Sequence, residues 1–116
     1  MICNQCDVVV VPFPLTENAN TKRRKAIVLS QQKYNFANNA TVMMMITSAD
    51  NSKWEGDIFI SDLRAAGLNK PCFARTKIFS IDNMLIQSIC GHLGEMDKKS
   101  ISQLLKDVFV LQESVI

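Results

Sequence analysis

Histidine is nearly absent from this chain: His92 is the only one in 116 residues. A single imidazole excludes acid–base chemistry shared between two histidines. Metal ligands are also scarce. The carboxylates are scattered, and only Cys3-Asn-Gln-Cys6 has the close spacing of half a zinc site, with no second pair to complete four ligands. Neither a metal nor another cofactor is expected, and the four cysteines read as free thiols filling small core or near-surface sites. Long apolar runs are missing too. None reaches the roughly 20 residues that span a bilayer, so no membrane helix is expected. At the N-terminus, Met1-Ile2-Cys3-Asn4-Gln5 places no charged region ahead of an apolar one, so no secretory leader is expected and the cytoplasm is the expected compartment. Glycine is absent from the first 55 residues, which must turn on Asn, Pro and Thr instead. With no repeat, linker or low-complexity tract, residues 1–116 read as one domain.

What the sequence does have is concentrated charge. The formal net charge is only +2, too mild to indicate a partner. Yet Lys22-Arg23-Arg24-Lys25 places four cations in a row, just after Asp7-Val-Val-Val-Val-Pro-Phe-Pro14 and a short polar loop. Four like charges repel one another, so such a run is suited to meeting an anion. Arg offers a planar fork of donors for phosphate. Two strands holding a basic loop over a surface can grip a nucleic-acid backbone.

The hydrophobic pattern reads as strand after strand and then a helix. Asp7–Val11 is a β-branched run of the kind buried on both faces. Ala26–Leu29 is a second strand, and Val42–Ile46, apolar on both parities, a third through the centre of the core. Gly56–Ile60 starts a fourth after the polar turn Ala49–Lys53. Ser61–Gly67 reads as one or two helical turns, with Ser61 as N-cap and Gly67 just past the end. Phe73–Phe79 and Ile89–Leu93 are further strands. Ile101, Leu104, Leu105, Val108 and Phe109 then recur at the spacing of one apolar helical face, read as core packing. Short strands with one terminal amphipathic helix predict a mainly β fold, a small twisted barrel.

Taken in order, these pieces resemble a known family. A strand opening on an acid and ending in Pro-Phe-Pro14 is followed by an Arg-rich segment and the strand Ala26-Ile-Val-Leu-Ser30. Then come Ile46-Thr47-Ser48, Gly56-Asp57, Lys70-Pro71, Lys77-Ile-Phe-Ser-Ile-Asp82 and Gly91-His-Leu93 before the final helix. From about residue 6 to 111 the chain resembles the MazF/PemK toxins of toxin–antitoxin systems. The resemblance implies a small SH3-like barrel with a terminal α-helix, usually a homodimer. It implies an endoribonuclease that cuts single-stranded RNA at a short sequence without metal and is restrained by a cognate antitoxin. Carried over residue by residue, it assigns catalysis to Arg24 and Thr47, with Ser48 beside the latter, and an RNA contact to Arg75. Lys22, Arg23, Lys25, Ser48, Trp54 and Lys77 complete the expected RNA-binding set. Three departures stand out. The family opens its first strand with Gly-Asp, here Cys6-Asp7; it follows the catalytic Arg with Pro, here Lys25; and no acid follows Arg75-Thr76-Lys77. The alternative within the same superfold is a catalytically weakened or non-catalytic member, nucleic-acid-binding or gyrase-directed; a third reading is an unrelated small barrel that binds protein through an exposed strand edge.

The chemistry holds together without the family. RNA carries its own nucleophile, the 2′-hydroxyl, so the protein needs to supply charge for a phosphorane-like transition state and a proton for the leaving 5′-oxygen. An Arg aimed at the phosphoryl oxygens meets the first need, worth roughly 100- to 1000-fold in rate. A Thr or Ser hydroxyl adds a hydrogen bond to the same oxygens, and holding the 2′-oxygen in line adds the entropic part.

Overall fold

Residues 1–14 and 22–113 are described in the computed structural model of the protein; the polar loop read between Pro14 and Lys22 falls outside them. The valine run forms strand β1, Asp7–Phe13, and the second apolar run forms β2, Lys22–Val28. Helix α1 (Gln32–Asn38) leads to β3 (Ala40–Ser48), the two-residue β4 (Ile58–Phe59) and the long β5 (Cys72–Asp82). A 3-10 turn at Asn83–Leu85, β6 (Ser88–His92) and helix α2 (Glu95–Val108) complete the chain. The strands make one sheet in the order β4-β5-β3-β2-β1-β6, every neighbouring pair antiparallel. It curls into a half-barrel closed by α2, the mainly β fold with a terminal helix that the pattern predicts.

The sheet is apolar on both faces, which is why β1 and β3 carry unbroken apolar runs rather than alternating ones. Val8, Ile27, Met44, Ile46 and Ala74 share one face with Ile101 of α2. Val9, Val11, Ala26, Val28 and Met43 share the other with Cys3 and Ile86. Two irregularities bend the sheet. The β3–β5 register jumps between Met44, opposite Ile78, and Met45, opposite Arg75, which leaves Thr76 and Lys77 bulged out on β5. The β1–β6 register shifts between Val8 and Val9. A buried polar network covers one end of the second face. Asn35, fully buried, takes the Ser30 hydroxyl and donates to the Cys3 carbonyl at 3.0 Å. Asn83 donates to the Asn35 carbonyl at 2.8 Å and accepts from Thr41 at 2.6 Å.

Several elements differ from the sequence reading. The cations at 22–25 belong to β2 rather than to a loop: β1 extends the ladder to Phe13–Lys22, so pairing continues past the apolar residues. Strand β4 is confined to Ile58–Phe59, because Gly56, at φ +87°, and Asp57 close the preceding turn. Ser61–Gly67 is a single turn, not a helix. The Leu68 amide bonds to the Leu63 carbonyl and the Gly67 amide to that of Arg64, with Gly67 at φ +70°, so the chain reverses as soon as it has coiled once. Its N-terminal amide is capped by Asp62, which accepts from the Ala65 amide at 3.0 Å, while Ser61 bonds to Asp97. Helix α1 was not expected. Its Tyr34 and Phe36 face solvent and only Asn35 is buried, so no apolar stripe announces it. On α2, Ile101 is buried and Leu104 and Leu105 are half-buried, but Val108 and Phe109 are exposed: the last turn runs beyond the sheet.

Candidate functional site

Strand alternation decides which polar side chains meet. The β2–β3 ladder pairs Val28 with Met43, Ile27 with Met44 and Ala26 with Met45, and stops there. Carrying the same register two residues further on each strand sets Arg24 across from Thr47. The two-residue period turns both to the face of Val11, the partner of Arg24 on β1. On that face β5 sets Phe73 against Thr47 and Arg75 against Met45. By the same alternation Arg23 and Lys25 point the other way.

A cleft of about 260 Å³ opens where the ladder stops, lined by Arg23, Arg24, Lys25, Thr47, Ser48 and Asn51, and also by Asn69 and Lys70. The same three cations line a second cleft of about 400 Å³ with Val10, Gln87 and Ser88. Arg23 and Arg24 are exposed, whereas Thr47 and Ser48 are half-buried. Lys25 is half-buried: its ammonium donates to the Gly67 carbonyl at 3.0 Å, while its backbone pairs with Val10. The basic strand is thus pinned on one side to β1 and beneath to the 63–68 turn.

The segment between β3 and β4 folds back over this face. The Asn51 amide nitrogen donates to Thr47 Oγ1 at 2.7 Å. Ser48 and Asp50 are joined by the Ser48 hydroxyl, which donates to Asp50 at 3.2 Å and accepts the Asp50 amide at 3.3 Å. Beneath lies a buried ion pair. Arg75 Nη2 meets Asp57 Oδ2 at 2.7 Å, with the side chains 8% and 1% exposed, and donates as well to the Ser52 carbonyl at 2.6 Å. Asp57 also takes the Trp54 amide at 2.7 Å. Burial pushes the Asp57 carboxyl up. The Arg75 hydrogen bonds, the Trp54 amide and nearby positive charge outweigh it and hold that carboxyl below its ordinary range. Arg75 is raised in turn, chiefly by its hydrogen bonds to Asp57. The half-exposed Trp54 ring carries the Arg75 guanidinium 4.7 Å from its centroid and the Lys77 ammonium at 5.4 Å. Lys77 reaches it from the bulge in β5. Cys72 also lines the first cleft; burial raises its thiol pKa, which keeps it protonated and a poor nucleophile.

The family described as PemK-like, MazF-like toxins of type II toxin–antitoxin systems matches residues 4–109. The chain belongs to this family. Among solved structures, the MazE–MazF complex of Deinococcus radiodurans is similar at TM-score 0.75, 16% identity, covering 97% of this chain and 100% of that one. An endoribonuclease bound to its cognate antitoxin from a mycobacterial species gives TM-score 0.73 at 10% identity over 97% and 98% of the two chains. The Mycobacterium tuberculosis toxin MazF-mt6 gives 0.72 at 13% identity over 92% and 99%. These likenesses show the fold. No curated protein is similar to the chain in sequence.

As a PemK/MazF-family chain, the protein shows what its three departures do. Cys6 stands at φ +71°, the left-handed backbone that a glycine adopts freely. Lys25 pairs with Val10 through its backbone and donates its ammonium to the Gly67 carbonyl. No acid follows closely after Arg75; its carboxylate partner is Asp57, eighteen residues earlier in the chain. Of the residues expected from sequence, Arg23, Arg24, Lys25, Thr47 and Ser48 share one cleft; Trp54, Arg75 and Lys77 form a neighbouring cation–aromatic group; Lys22 is exposed at the start of β2. Asn51, Asp57, Asn69 and Lys70 were given no role from sequence. Gly56-Asp57 and Lys70-Pro71 were noted as pattern, but nothing in their spacing connects them to Arg75 or Arg24. His92 lies elsewhere, exposed, with Nδ1 2.7 Å from buried Asp7, which orders the start of β1 by accepting the Asn4 amide at 2.8 Å.

No described helix is long and apolar enough to cross a membrane.

Proposed function

We propose that the protein is the toxin of a type II toxin–antitoxin pair, a sequence-specific endoribonuclease that cleaves single-stranded RNA without a metal ion. The observation that carries this reading is the cleft that Arg24 and Thr47 line together beyond the open end of the β2–β3 ladder. In the reaction the substrate's 2′-oxygen attacks the adjacent phosphorus and gives up its proton. The bond from phosphorus to the 5′-oxygen breaks, and that oxygen takes up a proton. The products are a 5′-hydroxyl end and a 2′,3′-cyclic phosphate. Arg24 stabilises the charge that builds on the phosphoryl oxygens, and Thr47 donates a hydrogen bond to one of them. Lys22, Arg23, Lys25 and Ser48 hold the flanking backbone, with Trp54 and Lys77 extending the track; Arg75, expected from sequence as an RNA contact, is buried against Asp57 and supports Trp54 instead. Antitoxin-bound relatives of the same fold support restraint of this chain by its own antitoxin, and the family resemblance supports a homodimer acting in the cytoplasm.

The test is induced expression followed by sequencing of RNA ends, then cleavage of the mapped site in vitro. Growth should stop and RNA should fragment at a recurrent short sequence. Cleavage should survive EDTA and fail on a substrate with 2′-deoxyribose at the scissile position. Arg24→Ala should lose about 100-fold in rate while keeping the fold. Magnesium dependence, or cleavage of the deoxy substrate, would overturn the mechanism.

A further inference from the structure

We infer that Asn51 is a positioning residue that fixes the direction of the Thr47 hydroxyl. The inference rests on the proposed ribonuclease reading and names a device inside that site. A threonine hydroxyl has one proton and two lone pairs and rotates to suit its partners. Here the Asn51 amide nitrogen donates to Thr47 Oγ1 at 2.7 Å. That bond occupies a lone pair and leaves the Thr47 proton for an acceptor other than Asn51, beside the cleft that both residues line with Arg24. The hydroxyl is therefore set in advance as a donor, the role that an anionic phosphoryl oxygen requires. Left to itself, the hydroxyl could point its proton at a neighbouring acceptor and offer the phosphate a lone pair, which repels.

Asn51 is itself held. Its backbone amide bonds to the Ser48 carbonyl at 3.1 Å, so it closes a tight turn directly after β3. The next residue, Ser52, is clamped through its carbonyl to Arg75 at 2.6 Å, and Arg75 is locked to Asp57. The buried ion pair thus reaches the cleft through two residues of loop. This gives Arg75 and Asp57 a reason to be present without either touching the reacting phosphate.

A double-mutant cycle tests the inference, using a labelled single-stranded RNA that carries the site mapped for the wild type. Asn51→Ala should lower kcat about 10-fold with KM little changed, the size of one orienting hydrogen bond. Asn51→Asp, the same shape with acceptors only, should lower kcat at least as far, because a carboxylate draws the Thr47 proton toward itself. In a Thr47→Val background Asn51→Ala should cost nothing further in kcat, because the hydroxyl it directs is already gone. An equal loss in both backgrounds would show that Asn51 acts independently of the hydroxyl and would overturn the inference. So would an Asn51→Ala variant with wild-type kcat. A wild-type protein that cleaves no RNA is a separate outcome: it overturns the ribonuclease reading itself.

Discussion

Cys6 shows how one residue can carry a cost that its neighbours conceal. At φ +71° a side chain crowds its own backbone, by roughly 1–2 kcal/mol relative to glycine, yet Cys6 is fixed there: its amide donates to the Val28 carbonyl and its carbonyl accepts the Leu93 amide. Cys6→Gly should raise the melting temperature and Cys6→Val should lower it; a thermal scan in which valine matches cysteine would disprove the strain. Asp57 offers a second measurement. Its carboxyl binds a proton less readily in the folded protein than in the unfolded chain. The contribution to stability is therefore complete above about pH 4 and disappears as pH falls through the folded value. Asp57→Asn should be less stable at neutral pH and lose less on acidification, and parallel stability–pH curves for the two proteins would rule this out. At this scale the sequence was legible only in part. Arg24 and Thr47 were singled out by the family resemblance; locally only the run of four cations is conspicuous, since a Thr-Ser pair at a strand end is ordinary turn chemistry. Asp57 and Asn51 were not singled out, because what joins them to Arg75 and Thr47 is the folding-back of a loop, and no local pattern encodes that.

Elements were legible where burial imposes a rhythm. The valines of β1 and the methionines of β3 announce strands because both faces of the sheet are covered, and Ile101, Leu104 and Leu105 announce α2 by their spacing. Helix α1 has no such rhythm: what it buries is an asparagine, held by hydrogen bonds rather than by apolar contact. The N-terminal half of β2 was hidden for a related reason, since its exposed cations look like a loop to any reading based on hydropathy. The turn after β4 is tied to α2 by one buried carboxylate. Asp97 accepts the Ser61 amide and hydroxyl, both at 2.8 Å, and the Asp62 amide at 3.0 Å. Asp97→Ala leaves those donors without their acceptor and should cost about 3 kcal/mol in chemical denaturation. The same turn receives Lys25 at the Gly67 carbonyl, so the variant should also weaken cleavage more than a surface substitution on α2 such as Lys99→Ala. Equal activity in the two variants would uncouple the turn from the basic strand.

For the whole molecule, a net charge of +2 understates what a phosphate chain meets. Lys22, Arg23 and Arg24 are all exposed on one short stretch of β2. Three phosphate contacts on a single strand give a slope of about −2 in log K against log salt. Arg23→Gln should flatten that slope by about 0.7, measured by fluorescence anisotropy on a substrate with 2′-deoxyribose at the scissile position. A slope unchanged by the substitution would remove Arg23 from the interface. The fold as a whole was legible because its pieces come in a fixed order; the cleft was not, because it exists only where two strands stop pairing.

That stopping point also divides β2 by how fast it trades its amide protons with solvent. Ala26–Val28 lie between two paired strands, whereas Lys22–Lys25 are paired to β1 alone among the described residues. In heavy water the apolar half should hold its amide protons long after those of the basic half that face the gap have exchanged. A bound RNA lying across the gap should close that difference, leaving a record of occupancy in the backbone that does not depend on cleavage.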